Sequence, residues 1–149
     1  MKREDISDIE QRQDRIIREF KLFDDWMDKY KHIIQLGNQL ASLAEELKND
    51  SNLVKGCQSQ VWLVARYADG QITFEADSDA AITKGLVALV VRLYTKQSPE
   101  DILKTQPRFI HEIGMTEHLS PTRANGLVSM VKQMKIYAIA YASKHTNKQ

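Results

Sequence analysis

The feature that most constrains this chain is a change of hydrophobic period around Val61. Before it, apolar residues recur at helical spacing; beyond it, they alternate. Val61, Leu63, Ala65 and Tyr67 interleave with Trp62, Val64 and Arg66, and Ile72, Phe74 and Ala76 interleave with Thr73 and Glu75. Between the two runs stands Asp69-Gly70, a dipeptide suited to a two-residue turn in which both central residues take positive φ. The pattern predicts an antiparallel hairpin set between helical segments. Leu53-Val54 offers a further short strand. With helices before and after the hairpin, the expected class is α+β, a small antiparallel sheet packed against helices.

The flanking segments carry their own start and stop signals. Ser7-Asp8-Ile9-Glu10 reads as a capping box, followed by Ile9, Ile16, Phe20 and Phe23 at helical spacing. A second helix is expected through Trp26, Tyr30, Ile33 and Ile34, ending at Gly37 as a left-handed cap. Leu40, Leu43 and Leu47 predict one more short helix before Asn49-Asp50-Ser51-Asn52. After the hairpin, Asp77 or Ser78 can cap a helix carrying Ile82, Leu86, Leu89, Val90 and Leu93. Ser98-Pro99-Glu100-Asp101 and Ser120-Pro121-Thr122-Arg123 each place serine at the cap and proline at the first helical position. The second of these opens a last long helix through Leu127, Met130, Met134, Ile136 and Tyr137, and residues 143–149 read as a frayed tail.

Composition narrows the function classes. The 149 residues fit a single domain spanning residues 1–149. Twenty-one Lys and Arg stand against 20 Asp and Glu, so bulk charge gives no drive toward nucleic acid. The most apolar stretch, Gly85 to Val91, is bracketed by Lys84 and Arg92 and falls far short of the ~20 residues a bilayer requires. Met1-Lys2-Arg3-Glu4-Asp5 leads into mixed charge rather than an apolar segment, so a signal peptide is not expected. A single cysteine cannot close an internal disulfide, and a cytoplasmic location is expected.

That cysteine is the residue with the most chemistry. Cys57 lies in Gly56-Cys57-Gln58-Ser59-Gln60, a polar segment just ahead of the first strand, where a loop fits better than an apolar packing face. Position alone leaves both a functional and a buried structural thiol open. A reactive thiol requires a thiolate, and Arg66, Arg123 and Lys55 are candidate cationic helpers. His32, His111, His118 and His145 stand in no recognisable hydrolase context. Cys57, His111 and His118 lack metal-ligand spacing, so no metal site is expected. Asp77 and Asp79 are explained by capping before catalysis. Arg123 opposes the dipole at the start of the last helix, so helix stability does not account for it, and contact with an anion or thiolate is an alternative to simple solvation.

Four segments then agree in order and spacing. The run Val54-Lys55-Gly56-Cys57-Gln58-Ser59-Gln60-Val61-Trp62-Leu63 resembles the signature of the SufE family of sulfur-acceptor proteins. Ala76-Asp77-Ser78-Asp79-Ala80 followed by Lys84-Gly85-Leu86 is similar to the family's acidic helix start. Leu119-Ser120-Pro121-Thr122-Arg123 with Asn125-Gly126-Leu127 resembles its last-helix opening, and Phe23 to Tyr30 with Leu36-Gly37 its first helices. The resemblance runs from about Ile9 to Ala142. It departs at Ala41-Ser42-Leu43-Ala44-Glu45-Glu46-Leu47, where the family carries a proline-containing stretch.

The resemblance implies a fold like that of U-type cluster scaffolds and a role without turnover in isolation or a cofactor of its own. Cys57 would accept persulfide sulfur from a pyridoxal-phosphate cysteine desulfurase of the SufS type, stimulate that enzyme, and pass sulfur to a downstream iron–sulfur cluster-assembly scaffold. Gly56, Gln58 and Ser59 would shape the loop. Asp77, Ser78, Asp79 and Arg123 would lie near it, shielding the thiol or meeting the desulfurase. The loop is expected to tuck Cys57 against apolar residues between partners, in a monomer or weak homodimer. Two rival readings remain: a cluster scaffold, which one cysteine serves poorly unless subunits share ligands, and an interaction module with an inert thiol.

Overall fold

The computed structural model of the chain describes residues 8–147. Ser7 of the expected capping box lies outside them. The described residues form an α+β fold in the order α1 (Asp8–Phe20), α2 (Trp26–Gln39), β1 (Val61–Ala68), β2 (Gln71–Ser78), α3 (Ala81–Tyr94), α4 (Pro99–Lys104), α5 (Phe109–Glu112), α6 (Met115–His118) and α7 (Pro121–Asn147). No helix among them is long and apolar enough to cross a membrane.

The hairpin forms where the alternation places it. β1 and β2 pair antiparallel from Val61↔Ser78 to Ala68↔Gln71. Asp69 (φ 55°) and Gly70 (φ 79°) make the turn, both positive as a type I′ connection demands. Val61, Leu63, Ile72, Phe74 and Ala76 are buried. Leu53 contributes only an isolated bridge to Trp62, with the Val54 N–H donating to the Val61 carbonyl at 2.8 Å, so the expected third strand is reduced to a single contact. The sheet has two strands. The 40–52 segment is likewise less regular than its leucine spacing suggests. Two 3-10 turns, Glu45–Leu47 and Asp50–Asn52, replace the expected short helix, the second capped by the Asn49 side chain.

α2 does not end at Gly37. The helix continues through it to Gln39, because Gly37 is a crossing point rather than a cap. A Cβ on Gly37 would lie 2.7 Å from the backbone nitrogen of Gly85, in the second turn of α3, and a Cβ on Gly85 would overlap the Ile33 carbonyl. The two glycines let α2 and α3 approach backbone to backbone. α3 is then held at its other end from α1, where the Arg12 guanidinium donates to the carbonyls of Arg92 (3.1 Å), Leu93 (3.3 Å) and Thr95, oxygens that the helix itself leaves unpaired.

Asp77 corrects a second expectation. Neither Asp77 nor Ser78 caps α3: the cap residue is Ala80, with no side-chain hydrogen bond, and both acceptors belong to the end of β2. Asp77 points away from the apolar face of the hairpin, yet is only 2% exposed, because the segment around Leu43 covers it. Its carboxylate accepts from the N–H groups of Leu43 (3.0 Å) and Ser78 (2.8 Å) and faces the ammonium groups of Lys84 (3.2 Å) and Lys48 (3.4 Å). Burial alone would raise its pKa, but those N–H donors and Lys84 outweigh it and hold the carboxyl below the usual carboxylate range. Since the folded-state value is depressed, the stabilisation is present above the unfolded pKa and is lost as pH falls through the folded one. Asp77→Asn is therefore expected to cost about 3 kcal/mol at neutral pH, and the gap to wild type should begin to narrow as pH falls below about 4, closing only beneath the lowered folded-state pKa. Urea unfolding at the two pH values measures it; an equal gap at both would remove the charge from the explanation.

The remaining helices pack around the same core. Ser98 caps α4 by accepting from the Asp101 N–H at 3.1 Å, and Ser120 accepts from the Arg123 N–H at 3.3 Å at the start of α7, as their spacing predicts. The short helices α5 and α6 have no counterpart in the periodicity, since four residues are too few to show one. α7 buries Leu127, Met130, Val131, Met134 and Ala138, and its helical backbone continues to Asn147, past the point where a frayed tail is expected. Ile136 is on the outside, 47% exposed.

Candidate functional site

The loop between the 3-10 turn at Asp50–Asn52 and β1 carries Cys57, and two local interactions set its path. Gly56 has φ 93°, a left-handed backbone that side chains other than glycine rarely adopt. A Cβ there would also collide with the hydroxyl of Ser129 on α7. Three residues after Cys57 the loop is pinned again, where the Asp79 carboxylate accepts from the Gln60 N–H at 3.1 Å. Cys57 lies between these two restraints.

The loop lies across the beginnings of two helices. A pocket of about 450 Å³ opens beside Cys57, walled by the first turns of α3 (Ala80 to Thr83, then Leu86 and Val87) and of α7 (Ser120 to Met130), with Gln58, Ser59 and Val61 from the loop side. Cys57 is half-buried and packs on the hydrophobic core. Its thiol donates to the Gly126 carbonyl at 3.5 Å, and a Cβ on Gly126 would stand 3.4 Å from the sulfur. Glycine at this position keeps the helix surface low enough for the sulfur to lie on it. The tuck of the loop against apolar residues is thus present in the structure.

The electrostatics follow from that placement. Burial pushes the Cys57 thiol above the ordinary thiol range, because a thiolate loses hydration there. Of the candidate helpers, Arg123 lines the pocket, Lys55 is exposed on the loop, and Arg66 is committed to Glu75 at 3.0 Å on the far part of the hairpin. The tucked thiol is thus held protonated at neutral pH. Iodoacetamide is expected to label it more slowly than free cysteine at pH 7, with the rate still rising above about pH 9. Asp79→Ala, which removes the carboxylate from the Gln60 N–H and leaves the 3.3 Å bond from the residue 79 N–H to the Gln60 carbonyl, should speed labelling at fixed pH. Equal rates for wild type and variant would mean that the Gln60 contact does not hold the loop closed.

The structure divides the sequence-derived candidates into two groups. Cys57, Gln58, Ser59 and Arg123 meet at the pocket, with Gly56 bending the loop into it. Asp77 and Ser78 do not line it; both are buried, and Asp77 is a structural anion with no surface to offer a partner. Asp79 is exposed and acts on the loop through Gln60. His118 stacks on Trp26 with ring centroids 4.4 Å apart, and neither it nor His111 lines the Cys57 pocket. Gly126, Thr83, Leu86 and Met130 escape a reading of the residues by period, since α3 and α7 meet the loop only in space. The signal available for Leu86 and Gly126 is their membership of the segments Lys84-Gly85-Leu86 and Asn125-Gly126-Leu127.

Comparison with known proteins identifies the family and the fold. Residues 14–138 match the family model described as "SufE: Fe-S metabolism associated domain". Among solved structures, a hypothetical protein from Thermus thermophilus, determined in solution, superimposes with a TM-score of 0.73 at 16% sequence identity. The match covers 89% of this chain and 96% of that one, and it shows a shared fold.

Proposed function

Because this chain belongs to the SufE family of Fe–S metabolism associated domains, we propose that it is a sulfur acceptor for iron–sulfur cluster assembly, loaded on Cys57 by a pyridoxal-phosphate cysteine desulfurase. The observation that carries this reading is the placement of the chain's one cysteine. It sits on a loop without regular structure, its sulfur drawn into a pocket and its thiol kept protonated. A carrier that meets one protein, stores a reactive sulfur and then meets another requires both states of such a loop.

The chemistry is a transfer without net oxidation. With the loop swung out, Cys57 regains hydration and ionises more readily. Its thiolate attacks the terminal sulfur of the donor's persulfide. The donor's sulfur–sulfur bond breaks as the new one forms, the donor cysteine leaves as a thiolate, and Cys57 carries the persulfide. Return of the loop places the added sulfur among Ile82, Leu86, Val87 and Leu127, out of reach of stray thiols, with Arg123 at the rim to meet its negative charge. Carbon–sulfur cleavage belongs to the partner's cofactor, and this chain speeds that enzyme by removing its product.

Intact mass after incubation with the desulfurase and cysteine tests the reading. The expected result is a gain of one sulfur atom that reductant removes. No gain with an active desulfurase from the same genome would overturn it.

A further inference from the structure

α7 carries large apolar side chains on its outer side as well as on its core side. Leu127, Met130, Val131, Met134 and Ala138 face the core, yet Val128 is 63% exposed, Ile136 47% and Ile139 55%. They account for three of the five large hydrophobic side chains exposed among the described residues. Val128, Lys132 and Ile136 follow one another at intervals of four, and Ile139 completes the row at the next three-residue step. Such a row is the ridge by which one helix packs into the groove of another, and here it spans about 16 Å with nothing upon it. A continuous row of exposed aliphatic side chains on a helix marks a surface that another molecule covers.

Charge and position indicate what covers it. From Pro121 to Asn147 the helix contains Arg123, Lys132, Lys135 and Lys144 but no Asp or Glu, although the chain as a whole has 21 Lys and Arg against 20 Asp and Glu. Lys135 turns inward to the Leu103 carbonyl at 3.3 Å, whereas Lys132 is exposed on the ridge without an ion-pair partner among the described residues. The complementary surface is apolar and acidic. One lysine among β-branched aliphatic residues is a poor match for a phosphate backbone, which calls for dense cations, and lacks the aromatic residues and basic density of an interfacial membrane helix. The ridge also begins at the site: Ser129, next to Val128, is the residue against which Gly56 rests. The start of α7 is one wall of the pocket beside Cys57, so a protein seated on the ridge lies next to the thiol.

We propose that the outer face of α7, from Val128 to Ile139, is the docking ridge for the sulfur-donating protein, which lays an acidic amphipathic helix along it. This rests on the sulfur-acceptor reading and names the surface and partner chemistry that serve it. The ridge is used for recognition and stands apart from the transfer itself, so it can be altered with Cys57 and its pocket intact.

The test compares the full chain, the double variant Val128→Glu/Ile139→Glu and the single variant Lys132→Glu. Each is measured for affinity to the desulfurase and for loading of Cys57 by glutathione persulfide, a donor too small to need the ridge. The expected result is desulfurase binding weakened about tenfold or more in both variants, with glutathione persulfide loading unchanged. Unchanged desulfurase affinity in both variants, with wild type still loaded by the enzyme, would overturn the ridge and leave the acceptor reading standing. If wild type neither binds nor is loaded by the enzyme, yet reacts with glutathione persulfide, the acceptor reading falls and the ridge with it. Binding to anionic phospholipid vesicles that the variants lose, alongside unaltered desulfurase affinity, would overturn the proposal in favour of a lipid surface.

Discussion

Cys57→Ser is expected to abolish sulfur uptake from the desulfurase while leaving the protein folded. The chain has one cysteine, so no second thiol can substitute, and the effect should be all-or-none. A serine hydroxyl does not ionise near neutral pH, and its oxygen cannot take over the attack of a thiolate on a persulfide. Loading and the accompanying stimulation of the desulfurase should fall by at least about 100-fold. The fold should survive, because Cys57 is half-buried on a loop and its one polar contact, to the Gly126 carbonyl, suits a hydroxyl equally well. Stability within about 1 kcal/mol of wild type is expected. A Cys57→Ser protein that still stimulates the desulfurase would assign the thiol a bystander's role and make this chain an interaction module. The same variant keeps its α7 ridge, so it should still bind the desulfurase, which separates docking from transfer.

Gly85→Ala is expected to be the most damaging single methyl group that can be added to the core. Alanine ordinarily strengthens a helix relative to glycine by about 1 kcal/mol. Here its Cβ would overlap the backbone carbonyl of Ile33, and a backbone cannot step aside as a flexible side chain can. α2 and α3 would have to separate, loosening the contact of Ile33 with Gly85 and of Gly37 with the α3 backbone. The net loss should reach about 3 kcal/mol, or a drop in Tm of about 10 °C for a chain of this size. Gly37→Ala, which meets the same crossing from the other side with its closest approach at 2.7 Å, should lose somewhat less. Thermal unfolding of the two variants checks the ranking. If Gly85→Ala matched wild type, the two helices would be free to slide, and the glycine pair would not define the crossing.

These two residues also show how differently parts of the molecule are written in the chain. The hairpin is legible because its information is short-range: alternation selects the strand, and Asp69-Gly70 supplies the two positive φ angles within two residues. The serine caps of α4 and α7 are legible for the same reason, each donor lying three residues from its acceptor. Cys57 stands out because a lone thiol in a polar loop has few structural uses. The ordered segments around it carried the family, which the match over residues 14–138 shows.

The sequence by itself thus determined the elements whose cause is local, together with the ordered segments that mark the family. Tertiary structure decided everything that depends on distant segments meeting. It turned Gly37 from a helix end into a helix crossing, because Gly85 stands opposite it. It made Asp77 a buried anchor instead of a cap, because the backbone of Leu43 and the ammonium groups of Lys48 and Lys84 converge there. It left Ile136 outside, since which side of a long helix with apolar residues on two faces turns inward is set by its neighbours. And it gave Cys57 a pocket, through a loop laid over the first turns of two helices and a glycine, 69 positions further along the chain, that lets the sulfur come to rest. Pairings of this kind arise from the burial of surfaces against each other, and one-dimensional spacing holds no record of them.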